Sequence, residues 1–168
     1  MSRRNIRVKV MQTLYTVETQ HTESNSNERD KTPGGKKSPD PVKLLQNHFD
    51  QTRQLFIFLI HSLAEVALYA ETDARNKASK HLPTRDDLNI NTKIARNELL
   101  QKILDLPSYK QAVKEVKPQQ LDNTEVLRKI YLEMVASDKY RQYISVEQRE
   151  KKDEKEILDF IFSDLLQP

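Results

Sequence analysis

The chain has no cysteine and no tryptophan, and its only two glycines are adjacent, Gly34 and Gly35. Without thiols it has no disulfide framework, thiolate zinc site, iron–sulfur cluster or cysteine nucleophile, and a cytoplasmic setting is the expectation. Phosphate-cradling loops need glycine for positive φ and for close approach of backbone to ligand. One Gly-Gly pair inside a Ser-, Asn-, Lys- and Pro-rich stretch does not supply a P-loop, a Rossmann fingerprint or a kinase loop. Asn-Gly and Asp-Gly steps are absent too, so the tight hairpins of a sheet protein lack their turn residues. The longest apolar run, residues 55–60, is far short of the ~20 residues that cross a bilayer. No apolar segment follows the N-terminal arginines as it would in a signal peptide. The expectation is a protein that neither spans a membrane nor is secreted.

What remains is helical patterning, and the fold class expected is all-α: a helical bundle with one long central helix. A chain of 168 residues can bury roughly 70% of its unfolded surface around one core, so a single helical domain over residues 1–168 is expected. Ser2 reads as an N-cap, with Ile6, Val10, Leu14 and Val17 sharing one face of a first helix that fades near Thr19 to Thr22. Residues 22–40 contain no aliphatic or aromatic side chain. Burial cannot repay their ordering entropy, and they are expected to form a mobile loop. Asp40-Pro41 then reads as N-cap and N1 proline of the longest helix. Its row Leu45, Phe49, Thr52, Phe56, Leu59, Leu63, Val66 and Ala70 alternates steps of four and three, which predicts a coiled-coil-like seam with Phe56 in its centre.

Beyond Ala70 the pattern weakens, and Leu82-Pro83-Thr84 predicts a stop followed by a polar connection to about Thr92. Ile94, Leu99, Leu100, Ile103 and Leu104 predict a shorter helix ended at Leu106-Pro107, with further turns before Pro118. A capping box with Asp122 in the capping role precedes a helical face of Leu127, Ile130, Tyr131, Met134 and Val135. Ser145 to Gln148 offers a second box ahead of the last helix, where Ile157, Ile161 and Leu165 run beside Leu158, Phe162 and Leu166. A strongly apolar terminal helix ending at Pro168 is what a chain cut at a domain boundary would look like, so a fragment or shortened product is expected.

Charge is the sharpest functional signal. Residues 1–17 carry Arg3, Arg4, Arg7 and Lys9 and no acid, whereas the remainder sums to −1. Cations near a helix N-terminus oppose the macrodipole, so something other than helix stability keeps them there. An anion bound at that end resolves the conflict, because free N–H groups and arginine forks both accept phosphate oxygens. Gln12 and Tyr15 lie further down, where an amide and an aromatic ring can bond to or stack on an unpaired base.

The stretch Ser2-Arg3-Arg4-Asn5-Ile6-Arg7-Val8-Lys9-Val10-Met11-Gln12-Thr13-Leu14-Tyr15 resembles the opening helix of the NusB family, bacterial transcription antitermination factors, with its arginine-rich start and Gln-x-Leu-Tyr step. Residues 82–97 resemble the inserted region of longer NusB-like proteins. The resemblance implies an all-α fold of two packed bundles that binds single-stranded boxA RNA. Its implied partners are the ribosomal protein NusE and the transcription elongation complex. It gives the RNA-contacting role to Arg3, Arg4 and Arg7, with Gln12 and Tyr15 in support. Asn5 stands where the family often has another arginine, and Lys9 adds a charge at a usually neutral position. The family's late Phe-x-Asn-Gly step is missing, since glycine occurs only at positions 34 and 35. The C-terminal bundle that carries much of the NusE contact is therefore expected to be absent.

Other constellations carry less. His61, Glu65 and Tyr69 share a helix face but give too few ligands for a metal, and His21, His48 and His81 have no orienting acid at a telling spacing. Asp86-Asp87 with Asn89 and Asn91 reads as a capped turn, because an EF-hand's glycine and late glutamate are missing. The mixed charges from Arg149 to Glu156 read as a solvated helix entrance. Tyr140 and Tyr143 read as core anchors. No enzyme, cofactor or metal is expected. The competing expectation is a helical protein-interaction module that uses the row from Leu45 to Ala70 to pair with a partner or as a homodimer.

Overall fold

The computed structural model describes residues 2–26, 40–121, 123–148 and 150–166. Among these, eight α-helices, two 3-10 turns and a closing π turn account for nearly all the regular structure, and no strand is present. The all-α class read from the sequence is the class found. The helices are α1 (Arg3–Ser26), α2 (Pro41–Ala78), α3 (Arg85–Leu88), α4 (Glu98–Asp105), α5 (Pro107–Val116), α6 (Thr124–Ala136), α7 (Asp138–Ser145) and α8 (Lys151–Phe160), with the π turn at Ile161–Leu165. The chain forms two compact units, residues 1–54 and residues 55–168.

In the first unit α1 runs on to Ser26, past the expected fade at Thr19 to Thr22. Propagating a formed helix needs only one new bond per residue, so a polar tail can continue it. The remainder of the expected loop lies outside the described residues. α2 begins as expected: the Val42 N–H donates to Asp40 Oδ1 at 3.0 Å, with Pro41 as first helical residue.

The second unit holds the core. Leu63, Val66 and Ala70 of α2 are buried with Ile94, Leu100, Tyr131, Met134, Tyr140, Tyr143, Ile157, Leu158 and Ile161. Phe56 is not in that core. It is 54% exposed, although its ring meets Phe162 edge-on at 6.5 Å between centroids. Besides Leu63, Val66 and Ala70, α2 buries Ile57, His61 and the small residues Ser62, Ala64 and Ala67, which a search for large apolar side chains passes over. By length and composition α2 could cross a membrane, and 44% of its most apolar stretch is buried within the fold.

Several boundaries move. Ile94 belongs to a separate 3-10 turn, Lys93–Arg96, because Asn97 caps α4 by accepting from the Leu100 N–H at 3.0 Å. Asn123, not Asp122, caps α6, and accepts from the N–H groups of Glu125 and Val126; Asp122 itself lies outside the described residues. The second capping box does not form: Ser145 ends α7, and α8 starts after Glu150 with no side-chain cap. Leu106-Pro107 breaks the chain between α4 and α5 as expected.

One buried polar lock ties α4 to α8. Glu154 is 3% exposed, and its carboxylate accepts from the Glu98 N–H at the start of α4 and from the Tyr143 hydroxyl. Asn97, also buried, donates to the Glu154 carbonyl at 3.0 Å. A carboxylate at a helix N-terminus satisfies free N–H groups and meets the positive end of the dipole. The charge run from Arg149 to Glu156 therefore includes one structural acid, in place of a wholly solvated set.

Candidate nucleic-acid interface

The N-terminus of α1 is capped by Ser2, whose Oγ accepts from the Asn5 N–H at 3.2 Å. This holds the first turn, which contains Arg3 and Arg4 and no acid. Within the first unit, Thr13 is the reference for the inward face: it is 2% exposed, and its Oγ1 lies 3.4 Å from His48 Nδ1 of α2. Thr13 Oγ1 donates to the Lys9 carbonyl at 2.9 Å and Thr16 Oγ1 to that of Gln12 at 2.9 Å. Hydroxyls satisfied one turn back can face inward without an unpaired donor.

Val10, Thr13, Thr16 and Val17 form this inward side. Of the predicted face, Val10 and Val17 turn inward, a rotation toward Thr13 that leaves Leu14 52% exposed on the flank, and Ile6, within about 20° of Thr13, is 41% exposed near the start of the helix. An all-apolar stripe was the wrong template, because two of its inward positions are threonines.

The rotation decides where the candidate RNA residues lie. At about 100° per residue, Arg4, Arg7, Val8, Met11 and Tyr15 fall within about 60° of the direction opposite Thr13. All five are exposed, Tyr15 to 73%. Arg3 flanks this face, on the side of Leu14. Lys9 falls on the inward side and is half-buried, and Gln12, though exposed, lies on the other flank. The structure therefore places Arg4, Arg7 and Tyr15 on one exposed face, keeps Arg3 and Gln12 at its two edges, and turns Lys9 to the inward side.

Among the described residues, no carboxylate pairs with Arg3, Arg4, Arg7 or Lys9. Within that set their charge is uncompensated, whereas most basic residues of α7 and α8 sit beside an acid, as in Lys139–Asp164 at 2.9 Å and Lys152–Glu156 at 3.7 Å. The face thus offers two guanidinium forks near the helix N-terminus that Ser2 caps, and an exposed ring and thioether about two turns further on.

Other candidates resolve into structure. His61 Nε2 lies 4.0 Å from Glu65 Oε1, and among the described residues no group of His, Asp or Glu could hold a metal ion. Asp87 closes a capping box with Thr84 and pairs with Lys80 at 2.7 Å; the Lys80 bond and those to Thr84 lower its pKa to about 2. Tyr140 and Tyr143 are buried core residues. Compared with known proteins, the chain matches no family model, no curated protein and no solved structure.

Proposed function

We propose that this chain is an RNA-binding transcription factor of NusB type, without enzymatic activity, that holds boxA-like single-stranded RNA on the outward face of α1. The observation that carries the reading is the grouping of Arg4, Arg7 and Tyr15 on one exposed face, with no acid in the first seventeen residues. Phosphates engage the arginine forks and the N-terminal N–H groups, and an unpaired base stacks on Tyr15. Arg3 adds a contact from the edge. Lys9 contributes to the field but not to the face, and Gln12 is a flanking group. In this reading NusE and the elongation complex are the protein partners, and the setting is the cytoplasm.

The alternative, an interaction module built on the row from Leu45 to Ala70, has less free surface, because Leu63, Val66 and Ala70 are already covered by the chain's own helices.

Titration of labelled boxA-like RNA at several salt concentrations tests the proposal. Three arginine contacts give a log–log salt slope of about −2. Replacing Arg3, Arg4 and Arg7 together with alanine flattens it, while helix content and melting temperature stay at the wild-type value. RNA affinity unchanged by the triple substitution sinks the reading.

A further inference from the structure

Sulfur is scarce in this chain and unevenly placed. With no cysteine, all of it lies in three methionines, Met1, Met11 and Met134. Met1 lies outside the described residues, and Met134 is completely buried in the core of the second unit. Met11 is 68% exposed on α1, about 160° around the helix from the inward-facing Thr13. A thioether is oxidised to a sulfoxide where an oxidant reaches it, and among the described residues Met11 is the sulfur that solvent reaches.

Its place on α1 gives that oxidation a consequence. Positions three and four apart are neighbours on a helix surface, so Met11 stands between Arg7 and Val8 on one side and Leu14 and Tyr15 on the other, all four exposed. It occupies the middle of the outward face. In the oxidation the sulfur lone pair attacks one oxygen of hydrogen peroxide. The O–O bond breaks as the S–O bond forms, and the proton on the transferred oxygen leaves with the departing hydroxide as water. Sulfur loses two electrons and the peroxide gains them. The product is polar and carries a hydrogen-bond acceptor one turn from the Arg7 fork.

We propose that Met11 is an oxidation site and that its sulfoxide weakens RNA binding at the outward face of α1. The sulfoxide oxygen competes with phosphate for the Arg7 guanidinium and replaces apolar surface beside the ring on which a base stacks. Met11 is mostly outside the packing of α1, so oxidation leaves the fold intact. A dithiol-dependent methionine sulfoxide reductase reverses the change: the oxygen leaves as water, the thioether is restored and the dithiol becomes a disulfide. The loss of binding rests on the RNA reading; the oxidation site does not.

Peroxide treatment of the full chain tests both halves. Peptide masses should show sulfoxide forming at Met11 at least about tenfold faster than at Met134, which only opening of the core exposes, and bound boxA-like RNA should slow the reaction at Met11. The oxidised chain should keep its helix content and bind boxA-like RNA about three- to tenfold more weakly at low salt, as expected for one lost solvent-screened contact. Methionine sulfoxide reductase should restore the affinity. Met11→Leu, apolar without sulfur, should bind like the untreated wild type and stay indifferent to peroxide, which sets aside any effect of Met1. Equal oxidation of Met11 and Met134 overturns the proposal, as does unchanged affinity of the oxidised chain, a loss of helix content on oxidation, or a Met11→Leu variant that peroxide weakens as much as the wild type. Selective oxidation of Met11 in a chain that binds no RNA before treatment removes the RNA reading and the switch with it, and leaves the oxidation site standing.

Discussion

The two units of this chain use their side chains in opposite ways. In residues 55–168 large aromatic and aliphatic groups turn inward, and Tyr131, Ile94, Leu100, Met134 and Ile161 are almost completely buried. In residues 1–54 the inward positions of α1 go to threonines and valines, while Met11, Leu14 and Tyr15 are exposed. Burial drives stability roughly in proportion to apolar area, so the second unit supplies most of the folding free energy. The first unit spends little apolar surface inside and displays it beside arginines that no described carboxylate pairs with. A helix that leaves its larger side chains outside is a poor stabiliser and a good recognition surface.

The difference sets the size of each expected effect. Met134→Ala, at a fully buried site, should destabilise by about 2 to 5 kcal/mol. Phe56→Ala, at an exposed site, should cost no more than about 1 kcal/mol, mainly the edge contact with Phe162. Equal shifts in denaturant midpoint for the two variants would break the assignment of the core.

Alkaline titration gives a smaller effect confined to the second unit. Burial, reinforced by the negative charge of Asp73, pushes the Tyr140 hydroxyl up from 10.0 to about 12, and burial with Asp73 raises Tyr131 as well. With folded-state pKa values above the unfolded ones, the folded form binds more protons above pH 10. This stabilisation is fully present below pH 10 and is lost as the pH rises toward 12. Melting temperature should therefore fall across that window, and Tyr140→Phe should blunt the fall. A flat profile from pH 10 to 12 would contradict the burial of these rings.

The sequence made some of this visible. Two adjacent glycines and the absence of hairpin steps were enough for the all-α class, Asp40-Pro41 marked the start of α2, and Leu106-Pro107 marked the break before α5. Each of these is a local rule in which one residue type dictates backbone behaviour. The features that escaped depend on partners distant in sequence. Glu154 looks like one more exposed acid until α4 brings the Glu98 N–H and Asn97 to it. Thr13 looks solvent-facing until its hydroxyl is seen bonded to Lys9 and set beside His48. Phe56 fits a heptad row that is buried further along at Leu63, Val66 and Ala70, yet it is itself exposed, because no other part of the core reaches that level of α2 to cover it. For the candidate site, the basic residues of α1 were legible as a composition. Their division into Arg4, Arg7 and Tyr15 on one face and Lys9 on the other was not, because it depends on which way the threonines turn.

That division is the central claim, and single substitutions at equal charge change test it most directly. RNA affinity should be measured at low salt for Arg4→Ala, Arg7→Ala and Lys9→Ala, each of which removes one positive charge from the same helix. Arg4→Ala and Arg7→Ala should each lose a phosphate contact and flatten the salt slope by about 0.7, whereas Lys9→Ala should leave the slope unchanged. Equal losses for all three would mean that RNA responds to the net charge of α1 and not to its outward face, and would contradict the account.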